Sequence, residues 1–210
     1  MYHQGIGGVS FVLCNTDAQA LRNSPVPVKV QLGAKGEGAG NIPEVAKKLA
    51  EESAAEVEAL FDDNTRMAFI TAGMGGGTGT GAAPVVARIA KEKGVLTVGI
   101  VTIPFLFEGE PKILQAFAGV EEMRKHVDAL LVINNERLCK IYPDLSWTTA
   151  FAKADDSLSN AARSIAELVS KDGKINLDFA DVRTTLKDGG AAVISTCLLY
   201  TSPSPRDRTR

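Results

Sequence analysis

The sequence predicts an α/β fold with a Rossmann-like, doubly wound and mainly parallel sheet. Two observations lead to this prediction. Short apolar runs alternate with amphipathic stretches of helical period, and most of the runs are nearly continuous in apolar residues, as in strands that are covered on both faces. The predicted strands cover residues 9–14, 26–32, 67–72, 95–102 and 129–134.

The amphipathic stretches between the strands predict helices. The first begins at Pro43, a residue that the first helical turn tolerates, with Asn41 near its cap, and it continues to about residue 60. The second covers residues 84–93, directly after a glycine cluster, and ends before Gly94. The remaining two cover residues 113–126 and 147–170. Strands that alternate with helices in this way are typical of a parallel sheet with helices on both faces.

The composition excludes several classes of protein. The 210 residues are 45% hydrophobic and 23% charged, with a net charge of -2, so nothing indicates a disordered chain, a nucleic-acid partner or an anionic membrane. Three cysteines without CxxC spacing favour a reduced cytoplasmic protein with no zinc site. The uncharged run 67–87 has the length of a membrane span, but six glycines, three threonines and a proline make it a poor one. We therefore reject a membrane span.

A glycine-rich stretch, AGMGGGTGTGAAP at residues 72–84, predicts a phosphate-binding loop. Six of the nine residues from Gly73 to Gly81 are glycine, so the backbone can approach a ligand without side chains in the way. The N–H groups of such a loop, together with the free N–H groups of the following helix, form an anion site. The hydroxyl groups of Thr78 and Thr80 add two donors.

This stretch lacks one known phosphate-loop pattern and fits the glycine spacing of another. The pattern GxxxxGK[ST] is absent, because no lysine follows the glycines. Gly77, Gly79 and Ala82 do fit the looser GxGxxA pattern of NAD(P)-dependent oxidoreductases. That pattern also requires an acid at the end of the next strand, whereas this strand ends at Thr102 and Glu108 comes several residues later. An oxidoreductase therefore remains only as an alternative.

The loop GGGTGTG followed by AAP resembles the phosphate loop of the tubulin/FtsZ superfamily, and residues 2 to about 196 resemble the bacterial cell-division GTPases of that superfamily. The resemblance rests on six further stretches: CNTDAQAL (14–21), GAGNIPE (38–44), TIPFLFEG (102–109), NNERL (134–138), AFAKADD (150–156) and NLDFADV (176–182). It implies a GTP-binding domain over residues 1–196 that includes a central helix and a catalytic loop. It also implies GTP or GDP with Mg²⁺ as ligands.

The resemblance further implies which residues contact the nucleotide. The glycine loop would hold the phosphates, a second loop would lie near the γ-phosphate, and a third would contribute an amide and a carboxylate. Other residues would contact ribose and base, with an aromatic ring stacked on guanine, a carboxylate accepting from its N1 and N2, and a lysine supplying charge. The glycine loop consists of Gly75, Gly76, Gly77, Thr78, Gly79, Thr80 and Gly81, the second loop contributes Ala39 and Gly40, and the third contributes Asn15 and Asp17. Glu108 and Asn135 would contact ribose and base, Phe151 would stack on guanine, Asp155 would accept from N1 and N2, and Lys112 would supply the charge.

Asn176, Asp178 and Asp181 form a separate group. By themselves they predict a helix cap followed by acids that the helix dipole favours. The resemblance implies that this loop enters the nucleotide site of the next subunit in a head-to-tail homopolymer. Asp181 and Asp178 would then be the catalytic pair and Asn176 a positioning residue. A tubulin-like scaffold without turnover is the second alternative, and the intact set of three residues argues against it.

The resemblance also implies a setting for the protein. Its relatives assemble the ring and septum at the division site in the cytoplasm, and they contact membrane-tethering and division-regulating proteins through a C-terminal tail that this sequence lacks. They begin with a further strand and glycine loop ahead of Tyr2, so we expect the domain to be incomplete at its N-terminus. Residues 197–210 resemble a translated sequencing adapter, which predicts a non-native or disordered tail.

This expectation leads to a prediction about stability. The strand ahead of Tyr2 lies in the interior of the sheet in the relatives, so the 210-residue chain expressed alone would leave strand edges unpaired. We expect it to be unstable or to aggregate, which light scattering during a thermal scan would detect. A sharp, reversible thermal transition would contradict this expectation.

Overall fold

The computed structural model of the chain describes residues 2–142, 146–170, 178–187 and 189–191. The strands are β1 (Val12–Asn15), β2 (Val28–Gln31), β3 (Met67–Gly73), β4 (Leu96–Ile103), β5 (Ala129–Asn134) and β6 (Gly190–Ala191). The helices are α1 (Ala18–Asn23), α2 (Pro43–Glu52), α3 (Ala54–Glu58), α4 (Gly77–Glu92), α5 (Glu110–Arg124), α6 (Asn135–Ile141), α7 (Trp147–Ser170) and α8 (Phe179–Leu186). None of the helices in these ranges combines the length and apolar character that a membrane crossing needs.

Every pair of neighbouring strands in the described ranges is parallel, as predicted. β3, β4, β5 and β6 form one sheet in that order, while β1 and β2 form a second, two-stranded sheet. Met67 pairs with Leu96 at one end of the larger sheet, and Gly73 pairs with Thr102 at the other. The sequence predicted one sheet. Two are present, because within the described residues no strand pairs with the second edge of β1 or of β3.

Helices cover both faces of the larger sheet, which confirms the doubly wound arrangement. β4 lies inside this sheet and its side chains alternate between the faces. Val98 and Ile100 pack with residues of α7 on one face, whereas Val101 and Ile103 pack with α4 and α5 on the other. The continuous apolar run that predicted β4 therefore fills two clusters of the core. β1 and β2 are only partly covered, unlike the fully enclosed strands that the sequence predicted.

Several boundaries differ from the prediction for local reasons. The helix predicted over residues 43–60 is interrupted at Ser53, whose buried Oγ accepts a hydrogen bond from the N–H of Gly33 at 2.9 Å. The first strand begins at Val12, and Val9 and Phe11 pack instead beside the cluster that includes α7. By contrast, β5 and α7 have the predicted bounds.

The largest difference is the start of α4, which begins at Gly77 and not at residue 84. Glycine is a poor helix former, but here close packing requires it. A Cβ atom at Gly79 would overlap the carbonyl oxygen of Gly73, and one at Gly81 would overlap that of Pro43. Part of the glycine cluster therefore lets the helix approach β3 and α2, a role that the sequence analysis missed.

Other helix starts also differ from the prediction. Asn41 was expected near the cap of α2, but it has a left-handed backbone with φ 63°, and Ile42 is the cap residue. The short helices α1 and α6 were not predicted, although each has a sequence signal. Asp17 and Asn134 accept hydrogen bonds from the N–H groups of Gln19 and Glu136, and so cap α1 and α6.

Candidate nucleotide-binding site

The candidate site lies along the carboxyl ends of the parallel strands, the usual position of ligand sites in such sheets. The predicted ligand residues lie at the carboxyl ends of β1 to β5, in the loops that follow these strands and in the first turns of the next helices, except for two on α7. Asn15 ends β1, Gly73 ends β3, and Asn135 directly follows β5. Because parallel strands place these ends at one edge, residues distant in sequence come together.

The phosphate loop connects β3 to α4 through Met74, Gly75 and Gly76. Gly75 has φ 99°, and a Cβ atom there would lie 2.9 Å from the carbonyl oxygen of Lys112 at the start of α5. Gly76 is the cap residue of α4 and has no side chain to satisfy the N–H groups of the first turn. Free N–H groups at the positive end of this 16-residue helix are suited to binding an anion.

Two threonines at the start of α4 form hydrogen bonds with other residues of the chain. The N–H of Gly75 donates to the buried Oγ1 of Thr80 at 2.9 Å, so Thr80 shapes the turn. The hydroxyl oxygens of Thr78 and Thr16 lie 2.7 Å apart and join α4 to the loop after β1. Thr16 is almost completely buried, and sequence reasoning missed it although it stands between Asn15 and Asp17.

The side chains of Asn15 and Asp17 form the turn that follows β1. The Asn15 Oδ1 accepts from the N–H of Asp17 at 3.1 Å, and the Asp17 Oδ1 accepts from the N–H of Gln19 at 2.8 Å. Both residues are half-buried. The turn brings two oxygen-bearing side chains to the edge that also carries the phosphate loop.

The second loop packs directly against the start of α4. Ala39 is buried, Gly40 has φ 56°, and a Cβ atom at Gly77 would lie 3.0 Å from the Ala39 Cβ. Gln115 of α5 joins this loop to the phosphate loop, because its Nε2 donates to the carbonyl oxygens of Gly75 at 3.2 Å and Asn41 at 3.4 Å. Sequence reasoning missed Gln115, and nothing in the local pattern of α5 distinguishes it.

Glu108 and Lys112 lie beside the phosphate loop. The Glu108 Oε1 accepts from the N–H of Phe105 at 3.0 Å, and its Oε2 lies 3.5 Å from the Lys112 Nζ. The two residues are four positions apart in the sequence: Glu108 ends a short 3₁₀ turn, and Lys112 lies in the first turn of α5. Their charges therefore balance each other where the sequence predicted a contact with the nucleotide.

Phe151 and Asp155 lie on α7, one turn apart. The Phe151 ring makes edge contacts with the rings of Phe105 and Phe107, at centroid distances of 5.2 Å and 6.1 Å. It remains 43% exposed, so it is not the enclosed core residue that a lone phenylalanine would suggest. Asp155 is exposed as well. An aromatic surface and a free carboxylate on one helix are suited to a planar base with two adjacent donors.

Asn135 carries an unusual acceptor. The residue is only 5% exposed, and its Oδ1 has no hydrogen-bond partner within the described residues. A buried acceptor left unpaired costs about 1–3 kcal/mol. A ligand with an N–H or O–H donor would remove that cost, in agreement with the predicted contact between Asn135 and the ribose or base.

α8 lies at the other edge of the larger sheet. The Arg66 guanidinium lies 4.7 Å from the centroid of the Phe179 ring, and Arg66 directly precedes β3. An Arg183 Nη donates to the carbonyl oxygen of Gly94, in the turn between α4 and β4, at 3.5 Å. Both contacts are at the amino ends of strands, whereas the phosphate loop is at a carboxyl end.

The two predicted catalytic acids are therefore not brought to the phosphate loop of their own chain. A helix does begin at this group, but its cap residue is Asp178 and not the first residue of the group as predicted; Asp181 lies in the first turn, and the Asp178 side chain makes no capping hydrogen bond. Both are exposed. The 16 residues of α4 span about 24 Å between the two edges. Asn176 lies outside the described residues.

Comparison with known proteins identifies the family. Residues 1–143 match the model of the GTPase domain of the tubulin/FtsZ family. The chain belongs to the tubulin/FtsZ family. The cell division protein FtsZ of Porphyromonas gingivalis is 65% identical over 200 residues, which are 93% of this chain and 44% of that protein. The chain therefore spans less than half the length of this relative.

Solved structures of the tubulin/FtsZ family confirm the fold. An empty FtsZ dimer from Methanocaldococcus jannaschii matches with a TM-score of 0.86 at 45% identity, over 90% of this chain and 56% of that one. A GTPγS-bound protofilament of CetZ2 from Haloferax volcanii matches with a TM-score of 0.72 at 26% identity, over 90% of this chain and 57% of that one.

The side chains present limit how a tubulin/FtsZ-family site could hold Mg²⁺. Within the described ranges, no group of three or more histidine, cysteine or acidic side chains could hold a metal ion. Mg²⁺ commonly binds through substrate phosphates and water with one or two protein oxygens. The residues here fit that mode, since Asn15, Asp17 and Thr78 provide side-chain oxygens near the phosphate loop.

Gln115 provides a test of how this tubulin/FtsZ-family site is organised. Gln115→Ala removes both hydrogen bonds between the two loops. One such bond contributes about 1 kcal/mol, so we expect GTP affinity to fall about fivefold, measured by calorimetry, with little change in melting temperature. The exposed neighbour Leu114→Ala is the control. Equal affinities for the two variants would show that the bridge does not organise the site.

Cys14 next to the site gives a chemical prediction. Burial of its thiol raises the pKa of Cys14 to about 11, so at pH 8 its thiolate fraction is roughly 200-fold below that of an ordinary thiol. We expect iodoacetamide to label Cys14 correspondingly slowly in the folded protein, and fully in urea, as measured by mass spectrometry. Rapid labelling of the folded protein would contradict the burial of this thiol.

Proposed function

We propose that the chain is the GTP-binding part of a self-polymerising, ring-forming cell-division protein that hydrolyses GTP where two subunits meet. Membership of the tubulin/FtsZ family supports guanine nucleotide binding. The names of its relatives support a role in cell division, and the dimer and protofilament structures of relatives support self-assembly. Because the chain spans only part of these proteins, the activity of the whole protein is inferred.

One observation carries the proposal. Asp178 and Asp181 lie on α8, which contacts residues at the amino ends of the strands, whereas the phosphate loop lies at the carboxyl ends, at the other end of α4, which is about 24 Å long. A carboxylate must come within about 3 Å of a water molecule to polarise it. These acids therefore cannot act on the nucleotide of their own subunit. Head-to-tail stacking would place them on the nucleotide of the neighbouring subunit.

The chemistry at such a shared site would be mainly positioning and charge stabilisation, as in other phosphoryl transfers. The N–H groups of Gly77, Thr78 and Gly79 would hold phosphate oxygens at the start of α4. Asp181 and Asp178 of the next subunit would orient and polarise the attacking water, with Asn176 as a positioning residue. A bound Mg²⁺ would neutralise charge on the phosphates.

The base would be selected on α7. Phe151 would stack on guanine, because its ring is exposed beside two other rings. Asp155 would accept from the N1 and N2 donors of guanine, an arrangement that adenine cannot satisfy. Asn135 would accept a donor from the ribose or base, since its Oδ1 is buried and unpartnered within the described residues.

The alternatives are less well supported. A nicotinamide-dependent oxidoreductase needs an acid at the end of the strand that follows its glycine-rich loop. Here that strand is β4, which ends at Ile103 and is followed by Pro104. The family also favours a guanine nucleotide over a dinucleotide. A scaffold without turnover would not need Asp178 and Asp181 to be exposed at the far edge.

Nucleotide titration and kinetics test the proposal on the protein expressed from its complete gene. We expect GTP to bind much more tightly than ATP or NADH in calorimetry. We also expect the GTPase rate per subunit to rise with protein concentration, because the site forms only on assembly. Tight NADH binding would favour the oxidoreductase. A rate per subunit that does not change with concentration would contradict the shared site.

We further propose that the protein acts in the cytoplasm at the division site. Membrane-tethering and division-regulating partners would bind a C-terminal tail beyond this sequence. A fluorescent fusion of the complete gene product should form a ring at the site of septation. Uniform fluorescence in dividing cells would contradict this assignment.

A further inference from the structure

Few of the described contacts hold the first turn of α8 against the rest of the protein. Val182 is buried, whereas Asp178 and Asp181 are exposed and the Asp178 side chain makes no capping bond. Phe179 stands between the two acids in sequence and is half-buried. Its ring lies beneath the Arg66 guanidinium, at 4.7 Å. Phe179, held under Arg66, and the buried Val182 are therefore the described residues that hold this part of α8 against the rest of the protein.

The charges around Arg66 leave that guanidinium available to the ring. Together with Lys93 and Arg183 it lines a cavity of about 290 Å³. Asp62 and Asp63 also line this cavity; Asp62 accepts from the Thr65 hydroxyl at 2.6 Å, and Glu58 pairs with Lys93 at 2.7 Å. Within the described residues Arg66 forms no ion pair, and its guanidinium contacts the Phe179 ring.

We propose that Arg66 is a positioning residue for GTP hydrolysis: by holding the Phe179 ring, it sets where Asp178 and Asp181 enter the neighbouring subunit's site. This inference rests on the proposed function. Arg66 touches neither nucleotide nor water, and it acts only through α8. A displacement of catalytic groups by about 1 Å can reduce a rate about 100-fold, so a modest shift of α8 is enough to slow hydrolysis.

Steady-state GTPase measurements on the complete gene product test this role. We expect Arg66→Ala to lower kcat at least fivefold, while GTP affinity, sedimentation of polymers with a non-hydrolysable GTP analogue and melting temperature stay unchanged. Arg66→Lys keeps a cation over the ring and should recover most of the rate. Lys48→Ala removes an exposed cation on α2 and should have no effect.

A double variant makes the test independent of any single substitution. Phe179→Leu should reduce kcat about as much as Arg66→Ala, and combining the two should cause no further loss, because both remove one contact. Additive losses, an unchanged kcat in Arg66→Ala, or a loss that follows reduced sedimentation would overturn the inference. If the unsubstituted protein shows no concentration-dependent hydrolysis, the proposed function itself fails, and the role of Arg66 fails with it.

Discussion

Asp181→Ala in the complete protein is expected to reduce GTP hydrolysis at least 100-fold while GTP affinity changes less than twofold. The reason is geometric. Asp181 lies on α8 at the amino ends of the strands, so its loss would leave the chain's own phosphate loop intact and would remove a charge that is proposed to act on a neighbour's nucleotide. Losing one preorganised catalytic group typically lowers kcat by about 100-fold or more. Phosphate release and calorimetry measure the two effects separately.

A mixing experiment makes this prediction specific to a shared site. Asp181→Ala subunits keep their nucleotide site, whereas subunits with a damaged phosphate loop keep their acids. A mixture of the two should therefore recover part of the rate that each lacks alone. Glu56→Ala is the matched control, because Glu56 is also an exposed acid in the first turn of a short helix, α3. Failure of the mixture to recover activity would argue that each subunit completes its own site.

Gly81→Ala is expected to lower the free energy of unfolding by about 3 kcal/mol, a typical cost of overpacking. A Cβ atom there would overlap the Pro43 carbonyl oxygen, and backbone cannot give way as a flexible side chain can. For a domain of this size the loss corresponds to a melting temperature of that domain lower by roughly 6–12 °C. Calorimetry of the complete protein measures it, and an unchanged melting temperature would contradict the close contact of α2 and α4.

Gly76→Ala, at the cap of the same helix, is the matched control. Its backbone angles, φ -99° and ψ 174°, suit any residue, and the nearest atom to an added Cβ is the Asn41 Oδ1 at 3.9 Å. We expect stability to change little, but GTP affinity to fall about tenfold, because the methyl group would project between the two loops where phosphate is proposed to bind. Similar affinities would place the phosphates elsewhere.

Much of the fold could be predicted from local pattern. β5 and α7 have the bounds that their apolar periodicity predicted, and every described strand pair is parallel. The position of the candidate site also follows from the sequence, because ligand residues that follow parallel strands must share one edge. These features depend on neighbouring residues and on backbone chemistry. The individual roles proposed for the ligand residues stay predictions.

Other features depend on contacts between residues far apart in the chain, which no local pattern records. Gly79 and Gly81 resemble loop residues in sequence, yet they lie in α4 because Gly73 and Pro43 approach it. Gln115 joins two loops that follow different strands. Above all, folding carries the acids of α8 to the edge opposite the phosphate loop. That separation comes from the three-dimensional packing of α8 against the starts of β3 and β4, and it makes a second subunit necessary for the proposed reaction.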